Sequence, residues 1–124
     1  MVGIFNKKDN IMRDVKSYDY FVSNVSNDNL VERVDYAYSS LLSYQKDLDK
    51  IGINYDLYFN ENTKILFDRI SEKINATIMR VSNVRSIVAN DDDRVDTKKG
   101  FVIGVEESVK DISRAMNVLK KNTF

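Results

Sequence analysis

The sequence predicts an all-α fold: a single domain built as an up-down bundle of four amphipathic helices, with a long third helix. Three observations predict it. Apolar residues recur at alternating steps of three and four in four separate segments, the spacing that lines one face of a helix. The 124-residue chain has no proline, so nothing forbids long uninterrupted helices. Period-2 alternation, the mark of a half-buried strand, is absent over any long run, although Ile, Val and Tyr are plentiful.

Residues 1–8 read as an N-terminal tail. The first apolar run then comes as Ile11, Val15, Tyr18, Val22 and Val25. The second is Val34, Ala37, Leu41, Tyr44, Leu48 and Ile51. Asn29 with Glu32 three residues on has the form of a capping box for it. At its other end, Lys50 sits in the last turn, Gly52 suits the left-handed position after a helix, and Ile53 would supply the accompanying apolar contact. The connection Asn54 to Thr63 is rich in turn formers, and its Tyr55, Tyr58 and Phe59 are expected to fold back over the end of the bundle.

Asn60 or Asn62 is placed to cap the third helix, expected over roughly 63–89. Its seam is Phe67, Ile70, Ile74, Thr77, Val81, Val84 and Val88. The fourth seam is Val102, Val105, Val109, Ile112, Met116 and Leu119, with residues 121–124 a frayed end. Each run is close to a strict heptad, the pattern of helices packed at about +20°. Met12, Leu42, Ile78 and Ile87 widen the stripes, which suits a globular bundle better than a two-stranded coiled coil. The stretch Phe101 to Val105 resembles a strand, but one short strand has nothing to pair with, so it reads as the start of a helix.

Asp91, Asp92, Asp93 and Asp96 raise the question of a cation site. A calcium loop needs oxygen ligands at positions 1, 3 and 5, a glycine at 6 and a carboxylate at 12. Counted from Asp91, position 5 is Val95 and position 12 is Val102; counted from Asn90, they are Arg94 and Phe101. Neither register works. Carboxylates are favoured at a helix N-terminus and disfavoured at a C-terminus. The cluster therefore reads as a helix boundary: Asn90 closes the third helix in the left-handed conformation and Asp91 or Asp92 caps the next helical turn. Because the heptad phase carries through Val95 to Val102, residues 91–104 are expected to be either a loop or glycine-weakened first turns.

The composition excludes much chemistry. There is no Cys, hence no disulfide or thiol nucleophile, and no His, the commonest general base and metal ligand. Phosphate-binding glycine loops are absent. Glu106, Glu107 and Asp111 lie near one another, but Val105, Val109 and Ile112 define the buried side, so these acids are expected at its edge or outside. Lys+Arg and Asp+Glu both number 19, which removes charge excess as an argument for nucleic acid. Arg69, Lys73, Arg80 and Arg85 could form a basic stripe on the third helix, yet Asp68 and Glu72 interrupt it.

These readings favour a protein that is not an enzyme and takes no cofactor or metal. The expected role is a protein–protein interaction module: an adaptor, targeting chaperone or inhibitor. Heavy use of Asn, Asp, Ile and Lys suits a bacterial or phage origin. The partner would be another protein, with a second copy of the chain as one candidate. Tyr18 with Tyr20 and Tyr36 with Tyr38 are spaced so that one of each pair is expected to face the seam. Tyr20 and Tyr36, with Tyr55, Tyr58 and Phe59, are the candidate partner-binding residues, because exposed Tyr buries large area at low entropic cost. One alternative is a nucleic-acid-associated regulator using the basic residues of the third helix. Another is a small helical accessory protein of a bacterial secretion system, although the Trp-x-Gly turn of such adaptors is missing. No signal-peptide core or membrane-length apolar run occurs, so the expected location is cytoplasmic.

Overall fold

The computed structural model describes residues 29–90 and 95–123. They form α1 (Leu30–Gly52), α2 (Tyr55–Tyr58), α3 (Glu61–Ala89) and α4 (Val95–Thr123), with no strand among the described residues. The fold is a helical bundle with the long third predicted helix at α3. The first apolar run, Ile11 to Val25, lies outside the described residues, as do the tail and Asp91 to Asp93.

Each long helix packs against the other two. Side-chain pairs show their directions. Asp35 meets Arg85 and Gln45 meets Asn75, so α3 runs opposite to α1. Lys73 meets Asp111 and Arg80 lies against Gly104, so α4 runs opposite to α3 and in the same sense as α1. The core is what the heptads dictate. Val34, Ala37, Leu41, Tyr44, Leu48 and Ile51 of α1 are buried, as are Ile70, Ile74, Thr77, Val81, Val84 and Val88 of α3. All six apolar seam residues of α4, Val102 through Leu119, are completely enclosed. Phe67 is half-buried against this core.

The residues expected to widen the stripes behave differently. Leu42 and Ile87 are exposed, and Ile78 is only partly buried. The extra buried positions are polar instead: Arg33 and Asp47 on α1, Glu106, Ser113 and Lys120 on α4.

The helix ends correct several expectations. Asn29 has φ −119° and ψ 10°, outside the extended geometry that aims a capping side chain, and makes no side-chain cap bond, so the box with Glu32 does not form. Its carbonyl does accept the Arg33 amide at 3.0 Å. Gly52 is not left-handed, since no described glycine has positive φ, and Ile53 continues in right-handed helical geometry. The glycine answers a packing need: a Cβ there would stand 2.8 Å from Cζ of Phe67. Because the chain does not turn back at Gly52, Ile53 points to solvent instead of closing on the helix.

Asn60 caps α3 as expected, accepting from the Thr63 amide at 2.8 Å. Asn90 ends it in extended geometry, φ −79° and ψ 136°, not left-handed. The Lys98 ammonium donates to the Asn90 carbonyl, placing a cation at the negative end of the α3 dipole. Helix α4 begins at Val95, and Phe101 to Val105 are helical within it. At 29 residues it equals α3 in length and continues to Thr123. Gly100 has open space around it, whereas Gly104 leaves room for the Arg80 guanidinium, 2.6 Å from where a Cβ would be.

Candidate functional site

The turn from α1 to α3 sorts its apolar residues onto two sides. One helical turn, α2, puts Tyr55 on the inner side, and Phe59 comes four residues later. Their rings meet Phe67 of α3 in a three-ring cluster, with centroids 5.3–5.8 Å apart. Phe59 is buried and Tyr55 half-buried. The Tyr55 hydroxyl donates to the Asp68 carboxylate at 3.0 Å, and Lys64 stands 5.3 Å over the Tyr55 ring. That bond, with some desolvation and the negative charges of Asp68, Asp56 and Glu61, holds the Tyr55 pKa above the ordinary phenol value.

Other apolar residues of the turn point out. Ile53, Leu57 and Tyr58 are 76%, 79% and 73% exposed, all within one short stretch of chain. Isolated exposed apolar residues are ordinary, but several large ones together mark a contact surface. Exposed Asp56 and Glu61 lie in the same stretch. Of the sequence candidates, Tyr58 belongs to this surface, while the Phe59 ring is occupied inside the cluster and Tyr55 is held by it. Ile53 and Leu57 were missed. The signal was present: Tyr55 and Phe59 are spaced i,i+4, so if they face inward Leu57 must face outward.

Tyr36 lies elsewhere, in the second turn of α1, and Tyr20 is outside the described residues. The expectation that only one of Tyr36 and Tyr38 faces the seam is corrected, since the two are 40% and 41% exposed. They flank buried Ala37, each about 100° from it around the helix, so both land on the shoulder of the seam. Tyr38 lines a shallow groove between α1 and α3 with Val34, Val81 and Ser82, where Arg85 bonds Asp35 at 2.8 Å.

The charged candidates on α3 and α4 are partly paired. Lys73 bonds Asp111 at 3.4 Å, and Asp111 also lies 3.5 Å from Arg114. With Arg85 held by Asp35, Arg69 and Arg80 are left as the members of the basic stripe that form no ion pair with described residues. Glu107 is exposed, as expected.

Glu106 is not at the edge but fully buried. Its two carboxylate oxygens accept from Nη2 and Nε of Arg33, at 2.7 and 3.1 Å, in a bidentate pair with both side chains wholly enclosed. The partner stands 73 residues away in sequence, which is why no local pattern around Glu106 announced it. Among the described residues, no helix is long and apolar enough to cross a membrane. No family of known proteins, characterised protein or solved structure matches the chain.

Proposed function

We propose that the protein is a non-catalytic protein–protein interaction module of the adaptor, targeting chaperone or inhibitor kind, of bacterial or phage origin and working in the cytoplasm. The observation that carries this reading is the exposed group Ile53, Leu57 and Tyr58 at the turn between α1 and α3. One aromatic and two branched aliphatic side chains, exposed in a turn that the Tyr55–Phe59–Phe67 cluster anchors, have the composition of an interface centre. Asp56 and Glu61 in the same stretch favour an uncharged or basic partner surface. The sequence has neither His nor Cys, which removes the usual nucleophile and base pairs from consideration.

The test compares the wild-type chain with Ile53→Ser/Leu57→Ser/Tyr58→Ser in capture from a bacterial lysate and in light scattering over a concentration series. The changed side chains are largely solvated, so the variant is expected to keep its helical content and thermal midpoint. A captured protein, or a self-association above the 14.4 kDa monomer, should be present for the wild type and lost in the variant. Equal behaviour of the two chains would refute this surface as the contact. The rival reading, a nucleic-acid-associated regulator, draws on exposed Arg69 and Arg80 of α3. It requires a salt-dependent shift of DNA or RNA mobility that Arg69→Ala/Arg80→Ala abolishes.

A further inference from the structure

The buried polar residues of α1 and α4 obey one spacing. In α1 the seam places Val34, Leu41 and Leu48 at heptad a, and Ala37, Tyr44 and Ile51 at d. Arg33, Ser40 and Asp47 then fall at g. In α4, Val102, Val109 and Met116 take a, and Val105, Ile112 and Leu119 take d. Glu106, Ser113 and Lys120 fall at e. The two helices run in the same sense, and parallel helices bring the g row of one beside the e row of the other. The observed rung, Arg33 to Glu106, has a separation of 73 residues. Ser40 to Ser113 and Asp47 to Lys120 repeat that separation. Read along the helices, α1 presents cation, hydroxyl, anion, and α4 presents anion, hydroxyl, cation. Asp47, Ser113 and Lys120 are buried like the first rung, and Ser40 is half-buried.

We propose that this inverted-charge ladder selects the register of α1 against α4. The apolar rows alone do little to prevent a slide by one heptad, because a then falls on a and d on d. The ladder forbids it. A slide of one heptad sets buried charges against serines or beyond the end of the row. A slide of two sets Arg33 beside Lys120, or Asp47 beside Glu106. A buried charge left without its complement is strongly destabilising, so the polar rows remove the wrong registers while the apolar rows supply cohesion. This inference concerns how two helices of the chain recognise each other. It stands apart from the partner surface at the α1–α3 turn.

The test uses full-length variants and urea unfolding followed by circular dichroism. Inverting the α4 row alone, Glu106→Lys with Lys120→Glu, opposes like charges on both outer rungs; so does inverting the α1 row alone, Arg33→Glu with Asp47→Lys. Each half-inversion is expected to lower the unfolding midpoint strongly or to abolish folding, and the fourfold inversion is expected to regain most of the loss. A second variant removes the charges, Arg33→Met/Asp47→Leu with Glu106→Leu/Lys120→Met. It is expected to fold with equal or greater stability but to give more than one set of amide resonances, as registers coexist. Two results overturn the proposal: a fourfold inversion no more stable than the half-inversions, or a charge-free variant with a single resonance set.

Discussion

Helix α3 buries a narrow row that contains no charged residue, whereas α1 and α4 enclose Arg33, Asp47, Glu106 and Lys120 beside their apolar rows. The contrast arises from what each helix touches. The a and d rows of α3 are met by apolar rows of α1 and α4, and its flanks reach water, where Lys73 and Arg85 find exposed partners. The charged positions on the adjoining edges of α1 and α4 do not reach water, so a charge there must meet its opposite. Apolar burial is non-directional and roughly proportional to area, which makes α3 cohesive but permissive. A bidentate guanidinium–carboxylate pair is directional and accepts one geometry, which makes the α1–α4 edge selective.

The sharpest way to break the comparison is Glu106→Ala. It removes the bidentate acceptor from an enclosed guanidinium, and the expected loss is roughly 3–5 kcal/mol, read as a fall in urea midpoint with an unchanged slope. Ile74→Ala attacks the permissive side. It deletes wholly buried methylene and methyl groups from the α3 row, with an expected loss of roughly 2–5 kcal/mol. The two are distinguished by rescue: Ile74→Leu should restore most of the stability, because the row accepts any apolar side chain of similar volume, whereas Glu106→Asp should not, because its carboxylate is one methylene too short for both guanidinium bonds. A rescue by Glu106→Asp would show that the edge is no more selective than the seam. The smallest effect is expected at Arg85→Ala, where the exposed pair with Asp35 contributes about 0.2–1 kcal/mol. That difference should shrink further in high salt.

The a and d rows were legible because they repeat within one helix. The three described seams reach the core at every predicted position except Phe67, which is half-buried against it. The Asn60 cap was legible for the same reason, since a cap and the amide it accepts lie three residues apart. Other expectations failed where a local signal met a non-local neighbour. Gly52 reads as a helix stop, yet the Phe67 ring decides that it stays helical and small. Glu106 reads as a solvated acid until Arg33 arrives from another helix. Leu42 and Ile87 read as core, but the long helices pack through narrower faces and leave both outside. The exposed group at the α1–α3 turn was half legible: Tyr58 was among the candidates, and Ile53 and Leu57 were assigned no outward face.

The sequence by itself determined that this protein is helical, where the long described helices run to within a few residues, and which residue of each turn enters the core. Those properties depend on periodicity and on contacts three or four residues apart, which are written along a single helix. Tertiary structure decided which charges are enclosed, why two glycines face side chains from a neighbouring helix, and which apolar residues of the turn remain outside. Each of those depends on a neighbour brought in from elsewhere in the chain, and the free energy of an ionic or tightly packed contact is set by that neighbour and by the water it excludes.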